Sequence, residues 1–152
     1  MRLLLVGQAP SKRGSSECPL EGAIGRKIAS LARISFEKYL EKTDRMNVFS
    51  CWPGKGKSGK GDAFCVREAK QHAAEKVHLL RNRCVIFVGK ATAAAFCLRA
   101  EFLKWEVSRE FACCFAVVPH LSGIVRWWNE PGNRLRAGRF LCSALRGKCV
   151  DA

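Results

Sequence analysis

Four short runs of apolar residues, at 3–6, 46–51, 84–88 and 114–118, each break off into a loop of glycine, proline or small polar residues. The runs are continuous rather than alternating, the pattern of strands buried on both faces, as in a parallel sheet. Helical patterns fill the intervals. Residues 22–40 place Ile24, Ile28, Leu31, Ala32 and Ile34 at helical spacing, 66–80 are alanine-rich and charged on one side, 90–99 are short and apolar, and a last helix is predicted over 134–145. Strands alternating with helices predict an α/β fold: a three-layer α/β/α domain around a central four-stranded parallel sheet. With no repeat and no linker, residues 1–152 read as one domain.

Ligands of such open sheets bind beyond the carboxyl ends of the strands. The four segments there read Gly7-Gln8-Ala9-Pro10-Ser11, Trp52-Pro53-Gly54, Gly89-Lys90-Ala91-Thr92 and Pro119-His120-Leu121-Ser122-Gly123. Chemistry is therefore expected in these loops. Against 13 Asp and Glu stand 27 Lys and Arg, a net charge of +14. That excess favours a polyanionic partner, nucleic acid before an anionic membrane, since neither a basic amphipathic helix nor a lipidation signal is present.

No apolar run approaches the ~20 residues of a membrane span. The opening Met1-Arg2-Leu3-Leu4-Leu5-Val6-Gly7 is too short for a signal peptide and reads as a first strand. Nine cysteines without paired metal or redox spacing, several in apolar runs, fit free thiols in a reducing cytoplasm. The stretch Gly54-Lys55-Gly56-Lys57-Ser58-Gly59-Lys60-Gly61 comes close to a phosphate-binding P-loop. It carries Gly61 where a Ser or Thr must hold magnesium, so it reads as a basic loop able to meet DNA phosphates through Lys55, Lys57 and Lys60.

The loop series resembles the uracil-DNA glycosylase superfamily. Gly7-Gln8-Ala9-Pro10 is similar to its motif A and His120-Leu121-Ser122-Gly123 to its His-Pro-Ser motif B. Between them, Pro19-Leu20-Glu21-Gly22 with Gly25, Asn47-Val48-Phe49-Ser50-Cys51-Trp52-Pro53 and Val85-Ile86-Phe87-Val88-Gly89-Lys90 resemble, in order, segments of the iron–sulfur branch. The resemblance implies a DNA glycosylase acting on a flipped pyrimidine. In that reading His120, Asn47 and Gln8 carry the chemistry. His120 stabilises the charge that develops on the leaving base, and Asn47 reads its pyrimidine edge. Gly7, Ala9, Pro10, Ser11, Leu20 and Ser122 line the base pocket. Gly123, Ile124, Val125, Arg126 and Trp127 press into the DNA, with Lys90 and the basic loop on its phosphates.

The chain departs from the family pattern in ways that bear on substrate and mechanism. Ala9 stands where one branch has the aspartate that orients water, and Gln8 where the iron–sulfur branch has a glutamate, which leaves Glu17, Glu21 and Asp62 as candidate acids. Cys51 matches one cluster ligand, while His72 or the offset Cys65 falls where another would be and the N-terminal pair is missing, so no cofactor and no metal is expected. Ser11 replaces a blocking tyrosine and Leu20 a stacking aromatic. Both changes predict a roomier pocket and a base larger than uracil, such as a 5-substituted pyrimidine. The chain's resemblance to anti-phage members of the superfamily implies the glucosylated hydroxymethylcytosine of phage DNA. The expectation is a monomeric, hydrolytic, cytoplasmic enzyme, bacterial or phage-encoded, that leaves an abasic site. The alternatives are a housekeeping uracil enzyme, a non-catalytic module binding modified DNA and, from the glycine-lysine loop, a magnesium-dependent nucleotide enzyme.

Overall fold

A computed structural model describes residues 2–14, 17–59, 61–122 and 125–149. It is an α/β fold whose five-stranded sheet is mostly parallel. The strands are β1 (Leu3–Gly7), β2 (Thr43–Asn47), β3 (Cys84–Val88), β4 (Glu106–Ser108) and β5 (Cys113–Val118), in the order β2-β1-β3-β5-β4. Four of them are parallel, and β4 joins β5 antiparallel. The helices are α1 (Ala23–Ala32), α2 (Phe36–Lys42), α3 (Val66–Ala74), α4 (Lys90–Ala95) and α5 (Pro131–Leu145). Among the described residues no helix is long and apolar enough to cross a membrane.

Alternation along the strands splits the interior in two. Leu3, Leu5, Ile86, Val88, Ala116 and Val118 pack with Ile28, Tyr39 and Leu141 on the α1, α2 and α5 side. Leu4, Val6, Val85, Phe87, Phe115 and Val117 pack with Ala69, Ala73, Ala93 and Phe96 on the α3 and α4 side. Because both faces are covered, β1, β3 and β5 are apolar at nearly every position.

Several elements differ from the sequence expectation. A fifth strand is present, since the short edge strand β4 caps β5. The second strand is Thr43–Asn47 rather than 46–51. It is the other edge of the sheet and is held by polar side chains: Arg45 pairs with Glu21 at 2.9 Å, while Asp44 pairs with Arg83 and with Arg2. The apolar Val48 and Phe49 follow it and keep two more backbone bonds, to the carbonyls of Gly7 and Gln8. The helix expected over 22–40 is broken where Arg33 turns left-handed (φ 56°) and Ser35 caps α2 by accepting from the Lys38 N–H at 3.2 Å. The segment over 66–80 ends its α-helix at Ala74 and closes in a 3-10 turn at Val77–Leu80. Helix α4 stops at Ala95, and left-handed Cys97 (φ 59°) follows. Helix α5 starts three residues earlier than expected, on Pro131, whose fixed φ suits a first helical position.

Candidate base-binding site at the carboxyl ends of the strands

The register sets Gly7 beside Asn47 at the ends of β1 and β2. The Asn47 side chain lies across Gly7 so closely that a Cβ there would stand 2.5 Å from Asn47 Oδ1 and 2.8 Å from Leu20 Cδ2. Only glycine fits. Asn47 is buried, and its Oδ1 has no hydrogen-bond partner. Such an orphan acceptor costs about 1–3 kcal/mol, so it reads as an atom kept for something that arrives from outside. Lys76 holds the same strand end from below, its Nζ donating to the carbonyls of Asn47 and Val48 at 2.8 and 2.7 Å. Burial pushes the Lys76 pKa down. No pattern in the sequence singles out this lysine.

The other half of the site gathers over Gly89, after β3. With φ at +98° this residue takes a backbone shape that favours glycine. A Cβ there would meet His120 Cβ at 3.4 Å and Gln8 Nε2 at 3.6 Å, so residues from the ends of β1, β3 and β5 converge on one spot. The His120 Nδ1 accepts the Ser122 N–H at 3.2 Å. In the neutral ring the proton is therefore on Nε2, which is left as a donor. Burial first lowers the His120 pKa, the Lys27 charge lowers it further, and the Asp62 carboxylate pulls it back up. The main chain of this loop is tied down on both sides: Trp128 Nε1 donates to the His120 carbonyl at 2.8 Å and Lys27 Nζ to the Leu121 carbonyl at 2.9 Å.

Leu20 walls the site in a left-handed conformation (φ 58°), and its carbonyl accepts the Tyr39 hydroxyl at 2.9 Å. Gly25 of α1 packs directly on that carbonyl, closer than any real Cβ could approach. Gly25→Ala must therefore push the Leu20 segment outward. The expected loss is about 1–3 kcal/mol of stability, read as a lower urea midpoint at unchanged slope.

Of the remaining predicted residues, Pro10 is buried, Ala9 packs on the α3 side, and Ser11 is exposed. Ser122 is half-buried beside His120. Lys55 and Lys57 are exposed on a loop closed by the Lys55–Asp62 bridge and by the Ala63 N–H on the Gly54 carbonyl. Lys90 lies 4.7 Å above the Phe102 ring, and Phe102 meets Trp127 edge-on at 5.9 Å. Trp127 in turn meets Trp128, which packs against the core. Arg126 is exposed, and Val125 is half-buried. Gly123, Ile124 and Lys60 lie outside the described residues.

Among the candidate acids, Glu21 is committed to Arg45, whereas Asp62 Oδ1 accepts from Trp52 Nε1 at 2.9 Å. Cys51 and Cys65 are exposed, and His72 stacks edge-on against Phe49 at 4.9 Å. Among the described residues no group of three or more His, Cys, Asp or Glu side chains could hold a metal ion. Compared with known proteins, the chain matches no protein-family model and no curated sequence.

Proposed function

We propose that this chain is a DNA glycosylase of the uracil-DNA glycosylase type, which flips a modified pyrimidine out of DNA and hydrolyses its glycosidic bond. The observation that carries the reading is the buried, unpartnered Oδ1 of Asn47, set over the bare backbone of Gly7 at the carboxyl end of the sheet. An amide in that position can pair with the Watson–Crick edge of a pyrimidine, accepting from N3–H and donating to O4 of a uracil, or accepting from the N4 amino group and donating to N3 of a cytosine. The absence of a Cβ at Gly7 is what lets the Asn47 amide and the Leu20 side chain close over the main chain at this strand end.

The chemistry follows from the neighbours. As the C1′–N1 bond breaks, negative charge collects on the base and is shared by O2. The Nε2–H of neutral His120 is a pre-oriented donor for that oxygen, fixed by the Ser122 N–H on the other ring nitrogen. Its lowered pKa suits the role, because a neutral ring keeps Nδ1 as acceptor of the Ser122 N–H and so holds the proton on Nε2. Exposed Ser11 and aliphatic Leu20 place no aromatic ring beside the proposed base, which favours a bulky 5-substituted pyrimidine such as glucosylated hydroxymethylcytosine. Lys55, Lys57, Lys90 and Arg126, on a chain of net charge +14, supply phosphate contacts.

The test is base release from DNAs containing uracil, 5-hydroxymethyluracil, 5-hydroxymethylcytosine and its glucosylated form, without added metal. Release of the bulky bases, leaving alkali-labile abasic sites, is expected. Release of uracil alone makes this a repair enzyme with a tight pocket. Tight binding with no release makes it a sensor of modified DNA.

A further inference from the structure

Hydrolysis needs a group to take a proton from the attacking water, and neither Gln8 nor Ala9 at the end of β1 can do so. Glu21 is neutralised by Arg45 at 2.9 Å. Asp62 sits differently. It lies at the foot of the loop that leaves β2, paired across that loop with Lys55, and its Oδ1 accepts the indole N–H of Trp52 at 2.9 Å. Trp52 is only five residues beyond Asn47, and its ring is covered at 5.6 Å by Lys12 Nζ, from the loop after β1. Loops from the two adjacent strands that carry Gln8 and Asn47 thus hold Asp62 above the same end of the sheet. Asp62 is exposed there, and its charge raises the His120 pKa against the effect of burial.

We infer that Asp62 is the general base of this site, a carboxylate brought in by the glycine-lysine loop in place of the strand-end acid that the chain lacks. The inference rests on the glycosylase reading. The water oxygen bonds to C1′ as the C1′–N1 bond breaks, and the electron pair of that bond leaves with the base. Its O2 meets the His120 Nε2–H, and the water proton passes to Asp62 and from there to the departed base anion. The products are a free base and a deoxyribose with a hydroxyl at C1′. The glycine-lysine loop then has a second task besides holding phosphates.

The experiment is single-turnover base release by the native protein, Asp62→Asn and Trp52→Phe on the base the native protein prefers, across pH, with DNA binding measured in parallel. Asp62→Asn is expected to slow release by about 10²–10⁴-fold while binding is kept. The acid limb of its profile should also move to lower pH. The groups facing His120 are Asp62 and Lys27, and those beside Asp62 are Lys55 and, across Trp52, Lys12, so removing Asp62 leaves His120 under lysine charge alone. Trp52→Phe keeps the carboxylate and loses only its hydrogen bond, and should fall between the two. If Asp62→Asn releases base at the native rate, or if Trp52→Phe matches it in rate and profile, Asp62 only shapes the loop and the inference is overturned while the glycosylase reading stands. If the native protein releases no base from any DNA, both fall.

Discussion

Asn47→Ala should slow base release by about a hundredfold or more and leave the protein as stable as before, or more so. The two halves of that expectation come from the same atom. In the free protein Asn47 Oδ1 is buried without a partner, and a stranded acceptor of this kind costs about 1–3 kcal/mol. Alanine removes that cost and gives up only modest packing against Gly7 and Leu20. In the complex the same substitution strands the polar edge of the flipped base instead. Two lost hydrogen bonds and the unpaired groups they leave behind amount to about 3–4 kcal/mol, and each 1.36 kcal/mol is tenfold in rate. Thermal unfolding and single-turnover release measured on one preparation separate the outcomes. A melting temperature several degrees lower, with activity falling in step, would make Asn47 a structural residue of the strand end and remove the observation on which the proposed function stands.

What was legible in the sequence follows the burial of each element. Strands β1, β3 and β5 lie between two helical layers, so Leu3–Gly7, Cys84–Val88 and Cys113–Val118 could carry little but apolar side chains and their bounds were readable to within a residue. Strand β2 is an edge, and Thr43, Asp44 and Arg45 are held there by ion pairs and hydrogen bonds with Arg2, Glu21 and Arg83 that no local pattern announces. The apolar run read as that strand, 46–51, instead marks where the chain leaves the sheet. Glu106–Ser108 is too short for any period to register. The break between α1 and α2 rests on Arg33 in a left-handed turn, a conformation that usually announces itself with glycine.

The candidate site was more legible than the elements around it. Gly7, Gln8, Asn47, Gly89 and His120 all follow or end strands, and in a parallel sheet the carboxyl ends of neighbouring strands must lie together. What separates Glu21 from Asp62 lies in the third dimension. The ion pair that occupies Glu21 spans 24 residues, and the bond from Trp52 to Asp62 closes a loop that reads in one dimension as a failed P-loop.

His120→Ala should cost about 10²–10³-fold in the rate of base release while the loop that carries it keeps its place. That loop is anchored through main-chain carbonyls, at His120 by Trp128 and at Leu121 by Lys27, so deleting the ring leaves both anchors intact. The substitution should also change how stability responds to acid. Burial holds the folded pKa of His120 below the ordinary imidazole value near 6.5. As the pH falls through that value the unfolded chain takes up a proton that the folded chain refuses, so stability declines with decreasing pH until the folded ring is protonated as well. Native protein should lose stability in this window and His120→Ala should lose less of it. Activity should follow the same ring, holding at neutral pH and falling only once the folded imidazole gains its charge and presses Ser122 N–H away from Nδ1. A pH-independent stability difference between the two proteins, or activity that rises as His120 protonates, would reverse the assignment and make the charged imidazolium the working form.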